Sequence, residues 1–157
     1  MWSKRRQQTV LIIVIVALLG VAGLLYFGGF DADQRQNDPQ RLARGQEAYE
    51  TYCAACHGDR LEGQDDWQQR GADGLLPAPP HDATGHTWHH PDQQLFQITK
   101  FGTAALVGGD YKSAMAGFAD QLSDDDIAAV IDFIKSRWPD EIRRRQAEVT
   151  SRARPAQ

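Results

Sequence analysis

The sequence is poor in the residues from which function is most often read. Its 157 residues contain two cysteines, two methionines and, against 21 acids, only 17 lysines and arginines. With no second Cys-x-x-Cys pair, a zinc site of about four Cys/His ligands has no ready completion. Outside the first thirty residues no run of β-branched residues reads as strand, which argues against the strand-rich α/β setting of a thioredoxin-like cysteine pair. A disulfide between cysteines three positions apart would close a loop too small to restrict the unfolded chain. The shortage of positive charge is sharpest in the middle of the chain, where residues 31–138 hold 18 acids and 9 bases. A nucleic-acid role, which calls for clustered Lys and Arg, is disfavoured; cationic or mixed-charge protein partners suit such a body better.

The two cysteines stand together in the stretch CAACHGD, residues 53–59. Cys53-x-x-Cys56-His57 places two thiols one helical turn apart, the spacing that adds across the two vinyl groups of a porphyrin, and presents His57 to the central iron. This is the attachment pattern of a c-type haem. A second axial ligand can be sought by elimination. Apart from the initiator the chain has one methionine, Met115, 58 residues after His57 in the loop-like stretch YKSAMAGF. A thioether there completes His/Met coordination and raises the reduction potential relative to two histidines. His81, His86, His89 and His90 are the competing ligands, and a gap-filling core role is the other use of a methionine.

Residues 1–30 read as a membrane anchor. Val10 to Phe27 is an uncharged, almost wholly apolar run of 18 residues, about 27 Å long as a helix and able to cross most of a hydrocarbon core. Lys4, Arg5 and Arg6 precede it and acids follow it, so the N-terminus stays cytoplasmic and the rest is exported. A cleaved signal peptide could be cut near Val21-Ala22-Gly23, but the apolar run continues through Leu24 to Phe27, which favours a retained signal-anchor. Residues 31–40 form a polar linker of at most about 35 Å, residues 41–139 the main domain, and residues 140–157 a polar basic tail. The tail reads as a solvated extension of the last helix or as disordered, with a basic foot for lipid or for an acidic partner as the alternative.

Helix signals in the main domain are local and strong. Pro39 to Thr51 carries Leu42, Gly45 and Tyr49 on one face, with Gly45 leaving room for a close helix neighbour. Pro91 to Lys100 turns Leu95, Phe96 and Ile98 inward and stops at Gly102. A last helix starts after Ser123, capped with Asp126 three positions on, presents Ile127, Val130, Ile131 and Ile134, and ends at Trp138-Pro139.

The motifs RGQEAYETYCAACHG, YKSAMAGF and LSDDDIAAVIDFIKSRWP together resemble the class I, mono-haem cytochromes c of the bacterial membrane-anchored type, over about residues 40–139. The second motif departs from the family, which usually has proline after the ligand methionine where this chain has Ala116. The resemblance implies an all-α class I cytochrome c fold, with first and last helices crossing around one covalent haem c attached outside the inner membrane. It implies a one-electron carrier, not an enzyme, exchanging electrons with respiratory oxidase or dehydrogenase complexes or other periplasmic redox proteins, and touching membrane lipid through the anchor. It also implies that a carbonyl of the proline-rich loop accepts a hydrogen bond from His57, with Pro77 ranked before Pro79 and Pro80.

The run His86-Thr87-Trp88-His89-His90 admits two readings. His86, His89 and His90 could form a second metal site, copper for choice, and make the protein a haem and copper module in metal handling or oxidase assembly. Otherwise His90 caps the third helix and Trp88, with a neighbouring histidine, lies near the haem propionates. An enzymatic reading of the peroxidase kind would need an open iron position and depends on Met115.

Overall fold

Asp38 starts the first helix of the main unit. Its backbone is extended and its side chain accepts from Gln40 N at 3.1 Å, while Pro39 occupies the first turn, where a missing N–H costs nothing. The helix, α1, runs Pro39–Tyr52, one residue beyond the expected end. In the computed structural model, residues 6, 8–18, 20 and 36–153 are described. They fall into two compact units, Met1–Gln36 and Asn37–Gln157.

In the first unit residues 8–18 are helical, and Val10 to Val16 and Leu18 are exposed. The expected anchor lies largely outside the described residues, as does the linker up to residue 35. Among the described residues no helix is long and apolar enough to cross a membrane.

The second unit is all-α. After α1 come α2 (Ala54–His57), a 3-10 turn (Thr87–His89), α3 (Asp92–Phe101), α4 (Thr103–Val107), α5 (Asp124–Ser136) and α6 (Asp140–Ala153). Helix α5 begins on the expected capping box: Ser123 Oγ accepts from Asp126 N, and Asp126 accepts from Ser123 N. Its buried face includes Ile127, Val130, Ile131 and Ile134, the stripe read from the sequence.

Helices α1 and α5 cross at Gly45. A Cβ on that residue would stand 2.1 Å from the Ala129 carbonyl oxygen, so only glycine lets the two backbones meet there. Around the crossing Tyr49, Ile127, Val130, Ile134, Leu95 and Trp138 form the core, each large aliphatic side chain contributing about 1.5–3 kcal/mol on burial. Two ion pairs tie the rim of the same crossing, Arg41 to Asp132 and Arg44 to Asp126, both at 2.6 Å.

The tail differs from expectation. Residues 140–153 are helical and docked, not a solvated or disordered extension. Gln146 is fully buried, and the two hydrogens of its Nε2 are shared among Asp92 Oδ1 at 2.7 Å, Thr150 Oγ1 at 3.0 Å and His90 O at 3.2 Å. Asp92 in turn pairs with Lys135 of α5 at 2.8 Å, and its backbone N–H donates to Thr150 Oγ1. This clamp, not a His90 side chain, satisfies the start of α3, whose N-cap is Pro91 without a side-chain cap. The sequence does not announce this docking, because the fully buried residue of the helix is a glutamine, which adds nothing to an apolar stripe.

Candidate functional site

Cys53 is the hinge between α1 and α2. Its N–H still bonds to Tyr49 O in α1 at 2.8 Å, while its carbonyl accepts from His57 N at 2.9 Å and opens α2. This continuity sets Cys53 and Cys56 about one turn apart. Both thiols are free, Cys53 half-buried and Cys56 exposed. Burial first, then the neighbouring Cys56, pushes the Cys53 thiol up to about 11. Gly58 ends the turn at φ +81, where a side chain would be strained, and its carbonyl accepts from Tyr49 Oη at 2.8 Å.

His57 is 6% exposed. Its Nδ1 lies 2.8 Å from the Pro79 carbonyl oxygen. A carbonyl can only accept, so Nδ1 carries the proton and Nε2 keeps the lone pair that a metal needs. Burial lowers the His57 pKa, against the opposing pull of the Pro79 bond, and so favours the neutral, coordinating form.

The acceptor is Pro79, not Pro77, and the loop's attachments explain the register. Gln64 N donates to Ala78 O at 2.9 Å and Ala78 N donates to Gln64 Oε1 at 2.7 Å, while His81 N donates to Leu61 O at 2.8 Å. These bonds bracket Pro79 on both sides. Gly63 and Gly85 press in so closely that a Cβ would stand 2.4 Å from Pro80 N and 2.0 Å from Pro80 O respectively.

Met115 is half-buried in the loop between α4 and α5, its N–H donating to Ser113 Oγ at 3.1 Å. The residues after it are fastened to the end of α3: Ala116 bridges Gly102, Phe118 N donates to Thr99 O and Ala119 N to Lys100 O, both at 3.1 Å. Gly102 and Gly117 leave no room for a Cβ at this contact. The backbone pairing thus restrains the loop where the family's proline is absent.

The histidine run is dispersed. The His86 ring stacks on Trp67 at 5.2 Å and meets His90 edge-on at 5.4 Å, whereas His89 stacks on Trp88 at 3.7 Å. Among the described residues no group of three His, Cys, Asp or Glu side chains is placed to hold a metal ion. The alternative copper set of His86, His89 and His90 therefore does not assemble, because His86 and His89 are drawn to different tryptophans. His81, a competing ligand by sequence, lies flat on the His57 ring at 3.9 Å.

Two free thiols one turn apart, an imidazole with its Nε2 bare, and a buried Trp88 Nε1 lacking a hydrogen-bond partner are a donor set that suits a covalently attached haem with its polar substituents. A family model described as "Cytochrome c" matches residues 42–138. Cytochrome CL from the marine methylotrophic bacterium Methylophaga aminisulfidivorans MPT is similar in crystal structure at 20% identity and a TM-score of 0.48, over 78% of this chain and 72% of that one. No curated protein matches the chain.

Proposed function

The chain belongs to the cytochrome c family and binds haem c covalently as an electron-carrying c-type cytochrome, and from that premise we propose that it is a membrane-anchored carrier exchanging single electrons with respiratory or other periplasmic redox proteins. The bound haem supplies a reversible iron(II)/iron(III) couple. The chain's own residues do the rest. Cys53 and Cys56 would tether the group, and His57, held in one tautomer by Pro79, would offer Nε2 to the iron. Met115 would offer its sulfur as the second ligand.

The single observation that carries the reading is the 2.8 Å bond from His57 Nδ1 to Pro79 O, which prepares a metal-ligating imidazole immediately after two free thiols. The anchor rests on the apolar run 10–27 behind Lys4, Arg5 and Arg6. The acidic body favours basic or mixed-charge protein surfaces as partners and disfavours nucleic acid.

Fractionation followed by denaturing electrophoresis with haem staining tests both halves. The stained band is expected in the membrane pellet and expected to vanish in the Cys53→Ala, Cys56→Ala double variant. Stain lost from the wild type under denaturation would sink the attachment. A stained band in the soluble fraction, with a mature N-terminus near residue 24, would replace the anchor by a cleaved signal.

A further inference from the structure

We propose that His81 is a positioning residue for the axial ligand, its ring setting the rotation of the His57 imidazole about the Cβ–Cγ bond. The inference rests on the reading of His57 as an iron ligand. The two rings are stacked, 3.9 Å between centroids and 20° between planes.

The Pro79 hydrogen bond alone leaves this rotation under-determined. The terminal torsion of a histidine is broad, and a hydrogen bond tolerates a wide range of angles at its acceptor. Pro79 therefore holds one point on the edge of the ring. A flat neighbour at van der Waals distance closes off rotation towards its own side, and the two restraints together define a plane.

His81 is itself held firmly enough to serve as that wall. Its backbone N–H donates to Leu61 O at 2.8 Å, and its carbonyl accepts from Trp138 Nε1 at 2.6 Å. Its Nδ1 lies 2.8 Å from Thr87 Oγ1, and Thr87 Oγ1 donates onward to Pro80 O at 3.4 Å. Whichever of the two groups donates, the 2.8 Å contact between His81 Nδ1 and Thr87 Oγ1 fixes the orientation of the His81 ring. The same short loop thus supplies both restraints on His57: the carbonyl of residue 79 at its edge and the ring of residue 81 on its face.

The plane of an axial imidazole imposes an axis on the unpaired spin of ferric low-spin haem, so the test reads that axis. Proton NMR shifts of the four haem methyls and low-temperature EPR g-values would be recorded for the ferric holoprotein as wild type, His81→Ala and His81→Phe. The expected result is a changed spread and order of methyl shifts in His81→Ala, and a pattern close to wild type in His81→Phe, which keeps a flat ring without the Thr87 bond. A His81→Ala pattern identical to wild type would overturn the inference, even with a lowered Tm, because residue 81 would then only support the fold. A His81→Phe pattern that follows His81→Ala would overturn it too, by assigning the effect to the Thr87 bond. If His81→Ala gives no holoprotein, His81→Leu against His81→Phe makes the same comparison at similar bulk. A wild type lacking a low-spin, histidine-ligated spectrum would mark failure of the ligand reading itself, which is a different result.

Discussion

Gly45 and Ala129 meet backbone to backbone: a Cβ on residue 45 would lie 2.1 Å from the Ala129 carbonyl oxygen and 3.0 Å from Phe133 Cβ. The contact sets the separation of α1 and α5, and α1 leads directly into Cys53. Gly45→Ala should therefore destabilise the unit by at least the about 1–3 kcal/mol typical of overpacking, since the obstacle is backbone and cannot rotate away. Urea unfolding of the holoprotein followed by haem absorbance measures this. An unchanged midpoint would mean that the helices part without cost.

Met115→Ala should abolish the sulfur-to-iron charge-transfer absorption of the oxidised protein, lower its potential and open the iron to carbon monoxide. Absorption spectra and a redox titration check all three. A variant matching the wild type would pass the ligand role to one of the histidines.

Acid should weaken the same helix crossing through Asp126. The hydrogen bond from Arg44, then that from Ser123, holds its carboxyl down to about 2, below the ordinary 3.8. A depressed acid stabilises the fold above its unfolded pKa, and that contribution fades as pH falls through the folded one. The loss attributable to Asp126 should thus run from about pH 4 down to about pH 2, and Asp126→Asn should flatten stability over that interval. Thermal melts of both proteins across it provide the comparison, and parallel curves would remove Asp126 from the account.

Gln146→Leu should loosen α6. The substitution keeps most of the bulk but leaves His90 O without its donor and Asp92 Oδ1 with Lys135 alone, and an unsatisfied buried polar group costs about 1–3 kcal/mol. Amide exchange should accelerate in residues 140–153 and at the start of α3 while the Met115 loop keeps its protection. Uniform acceleration throughout the unit would show that the clamp is not local.

What the sequence determined by itself was everything decided within a few residues of chain. The turn-spaced thiols before His57, the Ser123 cap and the stripes of α1 and α5 are all set by helical periodicity and by bonds spanning four positions or fewer, whereas the need for glycine at position 45 comes from the Ala129 carbonyl of the crossing helix. The tertiary structure decided what depends on how distant segments lie together. Pro77, Pro79 and Pro80 offer the same carbonyl, and only the bonds of Ala78 and His81 to Gln64 and Leu61 select Pro79 for His57. Nothing in a 24-residue separation says that His57 and His81 will stack, or that His86 and His89 will part towards Trp67 and Trp88. The docking of α6 was hidden for a further reason: beside Ile142 against the core it rests on hydrogen bonds to one buried glutamine, and hydrogen bonding, unlike apolar burial, leaves no periodic trace in a sequence.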